Sequence, residues 1–298
     1  MTLTRRRFLT ITAVAATLPG ALAAAPRYWT GQALGARASI RLDHPDAPAI
    51  TARCLAEIDR LEGILSLYRP DSALSQLNRT GRLDAPPFEL LDCLSQAGAV
   101  HRASGGAFDV TLQPLWALWA ETAVQNRRPT PAERDAALAR GGWADVRLSE
   151  DRIILRPGMA LTLNGIGQGY VADRVAALLE AEGLTDILID TGEMRALGPR
   201  PWPVRLDGGS SVPLSARALA TSDPRGTCFD AGGRDGHILD PRTGGPVASP
   251  WAQITVSASS AALADALSTA ACLTPDRAGL DALMAAFPAA RLEDARTA

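Results

Sequence analysis

Short β-prone runs joined by turns of very few residues restrict this chain more than any other pattern in it. DILID (186–190) and MRALG (194–198) meet at Thr191-Gly192, and ADVRLSEDRIILRPG (144–158) turns at Glu150-Asp151. Strands joined that tightly pair antiparallel, because a parallel pair needs a crossover of a dozen residues or more. One βα unit stands beside these hairpins: MALTLNGIGQGYVADRVAALLEAEG reads as strand, glycine turn and amphipathic helix. Together they exclude a purely parallel, Rossmann-type sheet. They predict the α+β class, a single compact domain of mixed, mostly antiparallel sheet with flanking helices.

Helical spacing marks the flanking layers. APAITARCLAEIDRLEGIL places Ile50, Cys54, Leu55, Ile58 and Leu61 on one face. A polar loop, SLYRPDSALSQLNRTG, leads to a second helix from about Phe88 to Ser104, and PTPAERDAALAR has proline and acids where a helix begins. Residues 27–42 alternate partly and read as extended chain. Further strands are expected around Val204, Ala218 and Ile238 and at WAQITVSA, before a last pair of alanine-rich helices.

The first residues read as an address. Arginines 5–7 precede an apolar run too short to span a bilayer and interrupted by Pro19, and Ala21-Leu22-Ala23 forms an A-x-A-like cleavage site. Arginines followed by Phe8-Leu9 resemble a twin-arginine export signal. The expected organisation is therefore a signal peptide over 1–25, one domain over 26–298, and a periplasmic location with no membrane span in the mature chain. Four widely spaced cysteines contain no CxxC pair; two disulfides are open to them, and buried free thiols are the plainer reading.

All 30 basic residues are arginine. A chain without lysine has no Schiff-base lysine and no Walker-type phosphate loop. A net charge of −2 offers no basic face for nucleic acid.

Several stretches can carry chemistry. In SSAALADALSTAACL a helix capped by Ser259 puts Asp265 and Thr269 one turn apart on one face, a pair of oxygen donors suited to Mg²⁺ or Ca²⁺. Its bland alternative is an exposed acid, although Leu263, Ala264, Ala266 and Leu267 leave little solvated face. Gly165, Gly167 and Gly169 permit close backbone approach at a helix start, where anions are favoured, and equally describe a tight turn. Asp109, after two glycines and Phe108, can accept from the edge of a heteroaromatic base or cap a turn. Tyr68 can stack on a ring or be structural. In DGHILDPRTGGP, His237 can move a proton near neutral pH and Arg242 can fork a phosphate, or both can serve a turn. His44 and His101 fall where no acids converge and are assigned no role.

Taken in order, ALGARASI, SLYRPDSALSQLNR, GGAFDVTLQPL, LTLNGIGQGYVAD, DTGEMRALG, ALATSDP, GHILDPRTGGP and VSASSAALADALSTA resemble the ApbE family of FAD:protein FMN transferases over nearly the whole mature chain. With an export signal, the match also resembles the branch that serves respiratory flavoproteins, such as the NosX type associated with nitrous-oxide respiration. The resemblance implies FAD as substrate, Mg²⁺, AMP as product, and an acceptor flavoprotein whose threonine hydroxyl takes FMN. It also implies that Asp265, Thr269 and the Gly165 carbonyl hold Mg²⁺, and that Leu34, Tyr68, Ala107, Phe108 and Asp109 line the FAD site with Thr162, Gln168 and Ile238. His237 would stand by the pyrophosphate as general base or phosphate contact. The chain departs from the family where Thr162 and Gln168 replace an acid or lysine, where GGD becomes Thr191-Gly192-Glu193, and where TSG becomes Thr221-Ser222-Asp223. These departures leave open an FAD pyrophosphatase, or a protein that binds FAD without transferring it.

Overall fold

The computed structural model describes residues 8–13, 27–33, 36–42, 44–184, 186–190 and 193–298. Its centre is an eight-stranded sheet. In chain order the first strands are β1 (Phe8–Ala13), β2 (Arg27–Ala33) and β3 (Ala36–Leu42). The helices α1 (Ala47–Leu65) and α2 (Ala73–Thr80), strand β4 (Arg82–Asp84), and helices α3 (Phe88–Ala103), α4 (Gln113–Val124) and α5 (Pro131–Leu138) follow. Next come β5 (Arg147–Leu148), β6 (Arg152–Ile154), α6 (Gly167–Ala181), β7 (Ile187–Asp190), β8 (Met194–Leu197), β9 (Trp202–Arg205) and β10 (Ser211–Leu214). The chain ends in β11 (Ala218–Ser222), β12 (Leu239–Asp240), β13 (Gly245–Pro246), β14 (Trp251–Ala258), α7 (Ala261–Ala271), α8 (Arg277–Ala285) and β15 (Arg291–Thr297).

The sheet order is β15-β14-β11-β8-β7-β1-β3-β2, antiparallel at every pair except β1 with β3. This is the mostly antiparallel α+β arrangement expected. Alternation assigns the two faces. Ile187, Ile189, Leu197, Ala218 and Ala220 join the main core with α1, α3, α6 and α7, whereas Ala196 and Leu219 face a smaller core closed by Val204, Leu206 and Leu214. The β9–β10 hairpin thus covers the face that the helices leave. A third cluster, Leu115, Trp119, Ala137, Phe229 and Leu239, lies between α4, α5 and the long 223–246 segment.

The expected α1 face is buried at Ile50, Cys54, Ile58 and Leu61, with Leu55 only partly covered. At the start of α5, Thr130 and Glu133 form a reciprocal capping box behind Pro131. The 147–154 hairpin forms as read. Some expectations fail. The supposed polar loop contains α2, started by the Ser72 side chain accepting from Ser75 N–H. The stretch before the glycine turn is irregular rather than a strand: Asn78 clamps Leu161 on both sides, 2.7 and 2.8 Å, and does the work of a strand neighbour. The last helix pair is followed by β15, whose charged residues gave no strand signal.

Strand β1 falls within the segment read as a leader; residues 1–7 and 14–26, with the arginines and the cleavage site, lie outside the described residues. No described helix is long and apolar enough to cross a membrane. Cys54, Cys93 and Cys272 are buried thiols, the plainer of the two readings. Burial pushes the Cys54 thiol up to about 12 and raises Cys93 and Cys272 as well.

Candidate active site

The floor of the site is helix α7. Ser260, not Ser259, is its N-cap, accepting from Leu263 N–H at 3.2 Å. A second cap comes from α6: the Asp173 carboxylate accepts from Ala261 N–H and Ala262 N–H at 2.8 and 2.9 Å. Burial raises the Asp173 pKa, opposed by those two hydrogen bonds and by Arg195. Arg195 also donates to the Ser259 carbonyl at 2.7 Å. The helices meet where Gly169 faces Ala261: a methyl group on Gly169 would overlap the Ala261 carbonyl. Only glycine allows that approach.

This docking sets where Asp265 and Thr269 stand. Asp265 is 2 % exposed. Thr269 lines a cleft one turn further on. The backbone of Gly165 lies against it, since a Cβ there would sit 3.2 Å from both Thr269 Oγ1 and Phe108 Cε2. Thr269 and the backbone of Gly165 thus meet at one end of the cleft, with Asp265 one helical turn back on α7.

The cleft has a volume of about 330 Å³. Tyr68, Ala107, Phe108, Asp109, Thr162, Gly165, Gln168, His237, Ile238 and Thr269 all line it, so the structure brings together nearly every residue singled out from sequence. Asp265 lies behind this surface rather than on it, and Leu34 lies outside the described residues. Of the positions that depart from the family pattern, Thr162 and Gln168 line the cleft, while buried Glu193 and Asp223 do not; Thr191 and Gly192 are outside the described residues.

One wall is the turn after α3. Gly105 and Gly106 take φ of +60° and +85°, which L-residues avoid, and reverse the chain. Asp109 Oδ1 accepts from Thr111 N–H and Thr111 Oγ1–H at 2.8 and 2.7 Å. The acid is thus a cap for the turn at Val110–Leu112, with its 9 % exposed side chain at the cleft. His101, expected to meet no acid, lies 3.9 Å from Asp109 Oδ2 and donates from Nδ1 to the Phe108 carbonyl at 2.8 Å. Its role is to brace this turn. Tyr68, 66 % exposed, stands at the rim.

The other wall is the 223–246 segment. Thr227 O accepts from His237 N–H at 3.0 Å and from the ring at 3.1 Å. A carbonyl can only accept, so Nδ1 carries the proton of the neutral ring and Nε2 is its basic nitrogen. Arg128 forks onto Asp235, 2.7 and 2.7 Å, and holds the chain two residues before His237. Trp119 Nε1 donates to the Gly244 carbonyl at 2.9 Å and anchors the far turn. Arg242 holds no phosphate position: its fork is spent on Asp240 at 2.8 and 2.8 Å, with a further bond to Leu273 O. Taking the guanidinium away would leave a largely covered carboxylate without its partner, which is costly.

Sequence reading missed Trp116, Phe229, Thr227, Asn164 and Ser222, all cleft residues. Trp116 and Phe229 stack edge to face with centroids 5.6 Å apart. The aromatic pair in PLWALW was the available signal for Trp116; nothing local marked Phe229.

A helix-flanked antiparallel sheet, with a cleft that mixes aromatic walls, one imidazole and neutral polar side chains, defines an α+β domain with a cavity suited to a ring-bearing ligand. The chain belongs to the ApbE family, whose model matches residues 34–290. It is similar to the FAD:protein FMN transferase of Salmonella typhimurium, 28 % identical over 254 residues that cover 77 % of this chain and 72 % of the relative. A Klebsiella pneumoniae protein of the same name is 30 % identical over 226 residues, 70 % of each chain. Among solved structures, the ApbE protein of Thermotoga maritima superposes with a TM-score of 0.78 at 27 % identity, covering 90 % of this chain and 93 % of its own. The apo flavinyl transferase ApbE of Pseudomonas stutzeri gives 0.77 at 27 % identity, with 87 % of each chain covered.

Proposed function

We propose that this protein transfers FMN from FAD to a threonine hydroxyl of an exported flavoprotein and releases AMP. The observation that carries this reading is the composition of the cleft. It joins ring-stacking side chains to one imidazole and an oxygen-donor cluster, and among the described lining residues no arginine is present. Among the described lining residues a diphosphate meets His237 and neutral donors such as Thr162, Asn164, Gln168 and Thr227, so a cation is needed to balance its charge.

The donor set fits Mg²⁺, which takes hard oxygen ligands. Among the described residues no three His, Cys, Asp or Glu side chains converge, so a cation draws on the Thr269 hydroxyl and the Gly165 carbonyl as well as on Asp265. When bound, Mg²⁺ supplies charge neutralisation at the diphosphate. The protein's own share is positioning. Tyr68 and the Phe108 turn receive the rings, and the first turn of α6 reaches the cleft through Gln168, near the phosphates. His237 Nε2 accepts the proton of the acceptor hydroxyl as its oxygen bonds to the phosphorus of the FMN half. The bond from that phosphorus to the AMP oxygen breaks, and AMP leaves. Phosphoryl-type transfer gains most from such alignment and charge balance.

Incubation of the purified protein with FAD, Mg²⁺ and a candidate acceptor tests the reading, with EDTA as control. A mass increment of FMN on the acceptor, abolished by EDTA, is expected. Free FMN and AMP would show hydrolysis instead, and unchanged FAD would leave only binding. Export rests on arginines 5–7 ahead of the apolar run. Arg6→Lys combined with Arg7→Lys should hold the precursor inside the cell, read by fractionation.

A further inference from the structure

The hydroxyls beneath the cleft form a chain whose direction can be read. Ser268 Oγ lies 3.0 Å from the Asp265 carbonyl, which can only accept, so Ser268 spends its single proton there. Ser222 Oγ lies 2.8 Å from Ser268 Oγ and must therefore be the donor in that pair. With its own proton committed, Ser222 can only accept at its remaining contact, 3.3 Å from Thr269 Oγ1. Thr269 is thus the donor, and its oxygen keeps its lone pairs for another partner.

We infer that Ser222 and Ser268 are positioning residues that turn Thr269 into a cation ligand by committing its proton away from the donor cluster. This rests on the cation reading given above and extends it to residues that do not touch the cation. Both serines are buried, at 4 % and 0 % exposure, and Cys272 Sγ–H to Ser222 O at 3.7 Å adds a second tie between β11 and α7. A freely rotating Thr269 hydroxyl would point its proton at a bound cation part of the time. The relay removes that state. A cation on Thr269 would in turn make its O–H a stronger donor to Ser222, so ligand and relay reinforce one another. No proton leaves the chain and no bond is made or broken.

The test is titration of Mn²⁺ into the FAD-loaded full chain, followed by loss of the free-ion electron paramagnetic resonance signal. Ser222→Ala and Ser268→Ala should each weaken Mn²⁺ binding roughly 10–100-fold, the range of supporting residues around metal ligands. For Ser268→Ala, whose side chain does not line the cleft, FAD affinity measured in EDTA should be unchanged, which also shows that the variant folds. Ser222→Cys, near in shape and a poor donor, should behave like the alanine variant. In a Thr269→Val background Ser222→Ala should cost nothing further, because its effect passes through the missing hydroxyl. Wild-type Mn²⁺ affinity in Ser222→Ala, or losses that simply add in the double variant, would overturn the relay. A wild-type chain that binds FAD but no Mn²⁺ overturns the cation reading and the relay together.

Discussion

On the floor of the cleft, α6 and α7 touch through Gly169 and Ala261 without space for a methyl group, and half-buried Asp173 caps one helix from the other. The wall that carries His237 is built otherwise. It is a long irregular segment tied by Arg128–Asp235 and Arg242–Asp240, pairs in which the arginine is more than half exposed and the acid is nearly covered. The floor is fixed by shape, so a change there should be felt first as lost stability. The wall is fixed by charge at the surface, so a change there should be felt first in turnover.

The largest effect is expected on the wall. His237→Ala should slow transfer by about 10²–10⁴-fold, the usual contribution of a general base, while FAD remains bound with near-normal affinity. A parallel loss of FAD affinity, read by fluorescence quenching, would instead make the imidazole a phosphate contact. On the floor, Gly169→Ala forces α7 away from α6. Overpacking of this kind costs about 1–3 kcal/mol, so a clear drop in melting temperature should accompany any loss of transfer. An unchanged melting temperature would erase the contrast between the two regions.

Arg128→Ala returns to the wall with a smaller expected effect. It frees the 235–237 turn and should lower kcat by roughly tenfold, because a small misplacement of His237 is amplified in the rate. Melting temperature should fall less than in Gly169→Ala, because the arginine itself is solvated. The smallest effect concerns acid. Burial pushes the Asp240 carboxyl up, yet the Arg242 side-chain and backbone hydrogen bonds hold it below the ordinary carboxylate range. A depressed folded pKa means that this stabilisation is present above the unfolded pKa and is lost as pH falls through the folded one. Melting temperatures compared at pH 6 and pH 3 should show a slight acid-dependent loss that Asp240→Asn removes.

The same contrast explains what could be read from the residues alone. Periodicity found α1, α3, α6 and α7, since each buries a stripe whose spacing survives in the sequence. Close-packed glycines and the Asp265/Thr269 pair were visible for the same reason, because local spacing dictates them. Partners chosen across the chain left no local mark. Arg242 went to Asp240, Arg128 reaches 107 positions along the chain to Asp235, and Ser222 meets Thr269 only once β11 lies against α7. Asp109 had two chemically reasonable uses, and the backbone of Thr111 claimed one of its oxygens.

The arginine-free lining has a practical corollary. Among the described lining residues sulfate, chloride and orthophosphate find no guanidinium fork, so buffer anions should be poor competitors for the cavity at neutral pH. Selectivity then resides in whichever solute brings a flat face for the aromatic walls, which ordinary salts lack.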